Sequence, residues 1–250
     1  MSAPILLSAR GLSRSFGGLA AVKDVTLELE QGVVTALAGP NGAGKTTLFN
    51  LVTGHLVPDH GTVELRGRSI LGQAPHRVAR QGLARSFQDL RLFGSMSVHD
   101  NVLAAIEPVS WLWQPGGRVR AMERMRRVER ALVATGLEAL ANTRAVDLSY
   151  AETKFLCLAR IIASGAPIWL LDEPASGLDP ASRKRFVKLV REATATGVTV
   201  CLIEHNLDIV TELADRIAFL DQGRKLAEGA PNDILGNEEL IAIYFGERRT

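Results

Sequence analysis

The strongest constraint on this chain is the stretch Gly39-Pro40-Asn41-Gly42-Ala43-Gly44-Lys45-Thr46-Thr47, set directly after the apolar run Val33 to Ala38. Two glycines bracket four residues and Lys-Thr follows, which is the pattern of a phosphate loop. The spacing has a mechanical reason. Glycines let backbone N–H groups fold around phosphate oxygens, and a helix starting at Lys45 adds the positive end of its dipole. Lys45 is then placed to reach the β- and γ-phosphates, and Thr46 to ligate Mg²⁺. The bland rival is a glycine turn that happens to precede Lys-Thr. An apolar strand before the loop and a helix after it weigh against that rival.

A second element completes such a site. Ile168-Trp169-Leu170-Leu171 is an apolar strand that ends in Asp172-Glu173. Asp172 can hold the Mg²⁺ shell. Glu173, one residue on, is placed to polarise a water for attack on the γ-phosphate as a general base. Strands often end in charged residues, so the pair gains its meaning from the phosphate loop.

Around these motifs the chain reads as alternating strands and helices. Strands are expected at Ile5 to Ala9, Val25 to Glu30, Val33 to Ala38, Gly61 to Leu65, Leu83 to Phe87, Ile168 to Leu171, Val198 to Ile203 and Ile217 to Leu220. Helices are expected at Lys45 to Thr53, Val98 to Ile106, Val119 to Thr135, Ala151 to Ala163, after Pro180, from Leu207, and over Glu238 to Tyr244. This order implies an α/β fold with a mostly parallel sheet and helices on its faces. Residues 89–163 read as an all-helical insert between core segments 1–88 and 164–250. With 46% apolar and 22% charged residues the composition is that of a globular chain. A balance of 29 basic against 27 acidic residues, net +2, offers no basic face for nucleic acid. No stretch reaches the roughly 18 to 20 apolar residues of a membrane span, and the first ten residues do not read as a signal peptide. Cys157 and Cys201 fit no metal or disulfide framework, and His55, His60, His76 and His99 read as surface residues.

Three further pieces carry a resemblance. Gln88 follows a strand, Leu148-Ser149-Tyr150-Ala151-Glu152 opens a helix about twenty residues before Asp172, and His205 follows the strand Val198 to Ile203. With Ser176-Gly177-Leu178-Asp179, the order of motifs resembles the ATP-binding subunit of ABC transporters over essentially the whole chain. The resemblance implies a phosphate-loop ATPase core, with N-terminal antiparallel strands beside the mostly parallel sheet, and a helical subdomain. It implies ATP and Mg²⁺ as cofactors. Gln88 would contact Mg²⁺ and the attacking water, His205 the γ-phosphate, and Phe16 would stack on adenine. Ser149 and Asp179 belong to the nucleotide-binding set, Ser149 reaching the ATP held by a second subunit. Gln88 as a loop residue, His205 as a helix cap and Phe16 as a packing residue are the plain rivals.

Within that family the stretches Phe16 to Val22, Phe87 to Phe93 and Tyr244 to Glu247 are most similar to subunits energising uptake of branched-chain amino acids. Related subunits for urea or lipopolysaccharide export share much of the pattern. The implied partners are a second ATP-binding subunit of different sequence, two transmembrane permease subunits and an external solute-binding protein. The implied location is the cytoplasmic face of the inner membrane, as a peripheral subunit. A non-hydrolysing regulatory module is the alternative of another class, and intact Glu173 and His205 argue against it. Soluble ABC proteins of translation or repair carry a second nucleotide domain or a long coiled coil, for which this length has no room. A small-molecule kinase would leave the other motifs unexplained. One departure is plain: Ala151 stands where the family has glycine, and Thr153 where glutamine is usual. A methyl at Ala151 could crowd the partner's ATP or demand a backbone angle alanine dislikes. Six arginines between Arg118 and Arg130, with Trp111 and Trp113 before them, read as a solvated helix in preference to a lipid-facing one.

Overall fold

The computed structural model describes residues 3–87, 90–106 and 117–245, without the side chains of 117–120 and 245. Two N-terminal strands, β1 (Ile5–Phe16) and β2 (Leu19–Glu30), form a long antiparallel hairpin. Both are longer than their apolar runs predict. The extension comes from the two-residue Gly17-Gly18 turn, both glycines at positive φ, which lets the strands pair up to the tip. After β3 (Val34–Ala38) the chain enters the phosphate loop and α1 (Lys45–Val52), then β4 (His60–Leu65), β5 (Arg68–Ser69), α2 (Pro75–Arg80) and β6 (Leu83–Arg85). Three helices follow, α3 (Val98–Ala104), α4 (Gly117–Thr135) and α5 (Tyr150–Ser164). Alternation resumes with β7 (Ile168–Asp172), α6 (Pro180–Ala195), β8 (Thr199–Ile203), α7 (Leu207–Leu213), β9 (Arg216–Asp221), β10 (Arg224–Gly229), α8 (Pro231–Leu235) and α9 (Glu238–Phe245).

The strands make two sheets. One is antiparallel in the order β2-β1-β4-β5, and the other runs β10-β9-β3-β8-β7-β6. The second is parallel except for the edge strand β10. Its central strands β3, β7 and β8 are buried along their whole length. That is why they read as unbroken apolar runs without alternation. Their side chains nonetheless divide by face. Val34, Ala36, Trp169, Leu171, Val200 and Leu202 join the core under the helices, which reaches into the insert through Val102, Leu132, Phe155 and Ala159. Leu37, Ile168, Leu170, Cys201 and Ile203 join a second core, shared with α1 and the antiparallel hairpin.

The strand expected to reach Phe87 stops at Arg85. Ser86 N–H still bonds the Leu170 carbonyl at 2.9 Å, but the Asp172 N–H is taken by the Ser86 hydroxyl at 2.9 Å in place of its carbonyl. The ladder ends there. Among the described residues no helix is long and apolar enough to cross a membrane. His55, His60 and His76 are exposed, while His99 is half-buried and paired with Asp100 at 3.1 Å. Cys157 and Cys201 are free thiols, both pushed up by burial, Cys157 to about 11.

Candidate nucleotide site

The phosphate loop leaves β3 and closes on α1, as its spacing predicts. Gly39 sits at φ 138°, and a Cβ there would run into the Leu220 carbonyl. Gly44, the residue preceding α1, sits at φ 101°, and a Cβ would meet the Ala21 carbonyl. Both glycines are therefore required by close backbone approach as well as by backbone angle. Lys45 is buried, and its ammonium donates to the Gly39 and Pro40 carbonyls at 2.7 and 2.9 Å. Burial lowers its pKa, with the charges of Glu173 and Asp172 opposing the shift. A cavity of about 490 Å³ opens over the loop, lined by residues 41–47 with Ala21, Glu173, Ile203 and His205. Asn41, Gly42, Ala43, Gly44, Lys45, Thr46 and Thr47 thus share one cavity with the two residues expected to do the chemistry. Backbone and lysine donors around an open cavity suit a phosphate-bearing ligand.

The pair expected to carry the chemistry comes from adjacent parallel strands. Asp172 is in register with Ile203, so Glu173 and His205 leave neighbouring strand ends. The His205 Nε2 lies 3.0 Å from Glu173 Oε1. Glu173 adopts a left-handed φ of 48°, which turns the chain sharply at this point. Its backbone is tied on both sides. Its N–H donates to the Ile203 carbonyl at 2.9 Å, and its carbonyl accepts from the Lys154 ammonium at 2.9 Å. Asp172 is buried, its pKa raised by burial and held down by the charge and hydrogen bond of Arg85.

Hard oxygen donors suit Mg²⁺, and Thr46 offers a hydroxyl in the same cavity as Lys45 and Glu173. Among the described residues no three His, Cys, Asp or Glu side chains group into a metal cluster. An ion held here by Thr46 and Asp172 would draw further oxygens from phosphate and water, as Mg²⁺ does in nucleotide sites. Gln88 falls outside the described residues.

Three expected residues stand away from this cavity. Phe16 is 44% exposed at the tip of the hairpin, with the Arg14 guanidinium 5.2 Å from its ring centroid. Ser149 caps α5, its hydroxyl accepting from Glu152 N–H while Glu152 accepts from Ser149 N–H, a reciprocal capping box. Asp179 caps α6, accepting from the N–H groups of Ala181 and Ser182 at 2.9 and 3.0 Å. Ala151 lies within α5 and is absent from the positive-φ positions. The backbone-angle objection to alanine is therefore removed, and only its methyl remains.

Two neighbours escaped the sequence reading. Glu204 is 2% exposed, and one carboxylate receives the N–H groups of Ala175 at 2.7 Å and His205 at 3.3 Å. It fastens the loop after Glu173 to the loop carrying His205. Burial pushes its pKa up while those hydrogen bonds pull it down. A second acid at the end of an apolar strand was visible by the same rule that singled out Asp172. Tyr244, from α9, donates to the His205 carbonyl at 2.7 Å, and no local pattern signals so distant a contact.

Phosphate loop, buried Asp172 and the Glu173–His205 pair on one mostly parallel sheet define a nucleotide-hydrolysing cassette. Residues 22–176 match the ABC transporter family model, and the chain belongs to that family as one of its ATP-binding, ATP-hydrolysing subunits. It is 40% identical over 255 aligned positions to the high-affinity branched-chain amino acid transport ATP-binding protein LivG of Salmonella typhimurium and of Escherichia coli, covering 99% of this chain and 100% of each relative. The corresponding protein BraF of Pseudomonas aeruginosa is 38% identical with the same coverage. The lipopolysaccharide export protein LptB of Acidithiobacillus ferridurans is 34% identical over 97% of this chain and 98% of its own. Among solved structures, the ADP conformation of the ABC cassette MJ1267 superposes with a TM-score of 0.85 at 27% identity, covering 98% of this chain and 100% of that one.

Proposed function

We propose that this chain hydrolyses ATP to energise an importer of branched-chain amino acids or a related small solute. The Glu173–His205 pair at 3.0 Å, set beside Lys45 over one cavity, carries the hydrolytic reading. Whole-length similarity to LivG and BraF supports the solute class. Lys45 and the backbone of residues 39–47 bind the phosphates. Thr46, Asp172 and Gln88 hold Mg²⁺, which supplies charge neutralisation on the β- and γ-phosphates when bound. Glu173 accepts a proton from the attacking water, and His205 orients Glu173 and reaches for the γ-phosphate. Phe16 receives the adenine. Ser149 and Asp179 serve the interface with a second ATP-binding subunit of different sequence. That pair works under two permease subunits and with an external solute-binding protein, at the cytoplasmic face of the membrane.

The test is Glu173→Gln in the assembled transporter. ATP binding should persist while hydrolysis falls roughly 10²- to 10⁴-fold, the usual worth of a general base, and an ATP-bound dimer should accumulate. Lys45→Ala should instead abolish ATP binding. Normal turnover in the Glu173→Gln transporter would overturn the assignment. Export of lipopolysaccharide is the competing cargo, and purification from membranes identifies the permease and decides between them.

A further inference from the structure

Arg85 has no part in the chemistry above, yet it lies buried against the metal-side carboxylate. Its side chain is 5% exposed and that of Asp172 2%, with Nη2 3.3 Å from Oδ2. A charge inside an apolar strand demands such a partner. The guanidinium is also fixed from other directions. Its Nη1 donates to Asn50 Oδ1 at 2.7 Å and to Thr53 Oγ1 at 3.2 Å, both at the far end of α1. The rings of Phe49 and Phe87 lie 5.6 and 4.9 Å from it. Arg85 therefore cannot swing away from Asp172 without breaking contacts with three segments.

We propose that Arg85 is a built-in competitor for the divalent cation, sharing the Asp172 carboxylate with Mg²⁺ and setting the metal affinity of the nucleotide site below what Asp172 alone would give. The inference rests on Asp172 being a metal ligand. Two cations facing one buried carboxylate repel each other, and at an effective dielectric near 20 that repulsion is substantial over several ångströms. With Arg85 in place the carboxylate is balanced and aimed before the metal arrives. The metal is then held firmly enough to serve the phosphates and loosely enough to leave with the products. Arg85 is a positioning residue in this scheme, since it acts through Asp172.

The experiment uses the full chain with a non-hydrolysable ATP analogue and Mn²⁺ as the probe, titrated by electron paramagnetic resonance. Arg85→Met should tighten Mn²⁺ binding by roughly 5- to 50-fold, as expected for loss of a nearby like charge in a medium of dielectric about 20. Arg85→Lys keeps a positive charge near Asp172 and should bind Mn²⁺ more weakly than Arg85→Met, because the like charge persists. A residue of purely structural importance would weaken binding on removal, so the direction of change discriminates. Unchanged or weaker Mn²⁺ binding in Arg85→Met, with Asp172→Asn clearly weakened, would overturn the role of Arg85 alone. Unchanged binding in Asp172→Asn would overturn the metal assignment and the proposal with it. If Arg85→Met fails to fold, Arg85→Gln, which keeps the hydrogen bonds to Asn50 and Thr53 within reach, provides the uncharged arm.

Discussion

Gly39 and Gly42 share one loop and both hold positive φ, but their surroundings differ. A Cβ on Gly39 collides with the backbone of β9, whereas nothing lies within 4 Å of one on Gly42. Gly42→Ala should therefore cost only the left-handed angle, about 1 to 2 kcal/mol. Gly39→Ala adds a backbone displacement and should cost at least about 2 kcal/mol more, in the range of an overpacked core. Urea unfolding of the two variants measures the difference, and equal losses would show that the loop can yield at Gly39. The motifs of the candidate site were legible at this scale, because phosphate-binding glycines and a lysine follow one strand and two carboxylates for metal and water end another. Glu204 stands at a strand end as Asp172 does, but its role, like that of Arg85, lies in hydrogen bonds to segments distant in sequence. A buried charge in Leu83 to Phe87 was the available signal for Arg85.

Elements buried on both faces were readable, as were the edge strands β2 and β6, whereas β5, β10, α2 and α8 were not. β3, β7 and β8 are apolar runs because helices or a second sheet cover each face. β10 alternates with charges at an exposed edge, and α2 and α8 are single-turn helices whose main sequence mark is a proline at their first turn. The reciprocal cap on α5 makes Ser149 a structural residue of its own helix. Ser149→Ala should lower the stability of the isolated subunit by about 1 kcal/mol. Thermal unfolding of the nucleotide-free protein reads this apart from any effect on a partner's ATP, and an unchanged midpoint would discount the cap. α4 yields a different expectation. Arg127 turns inward, its guanidinium donating to the Ala163 carbonyl at the end of α5, while the exposed Arg126 and Arg130 are interleaved with Glu123 and Glu129. Mixed charge of this kind is expected of a solvated helix face, although exposed Met122 and Met125 share the stretch. Sedimentation with anionic vesicles at low salt should show no binding, and salt-sensitive binding there would assign the helix to lipid headgroups. Trp111 and Trp113 lie outside the described residues.

At the scale of the whole assembly, Ala151 separates the two ATP sites that a pair of unlike subunits would form. If the partner is a different subunit with a regular motif, this chain's own ATP would be served by Lys45, Glu173 and His205 and closed by the partner's motif. The altered Leu148 to Glu152 segment would close the partner's ATP instead. Loss of one close γ-phosphate contact should cost about 1.5 to 3 kcal/mol, and each 1.4 kcal/mol is tenfold in rate, so roughly 10- to 100-fold asymmetry is expected. Glu173→Gln should then silence most turnover, and the matching change in the partner only a little. Equal losses would mean that the Ala151 methyl is accommodated, and Ala151→Gly should then leave the rate unchanged. The pairing of β7 with β8 bears on a different question, that of redesign. Since Glu173 and His205 project from neighbouring strands in fixed register, the reactive geometry is a property of the sheet's interior. The exposed segment around Phe93 contributes nothing to that register. Substitutions at Phe93 should therefore leave the 3.0 Å spacing of Glu173 and His205 unchanged.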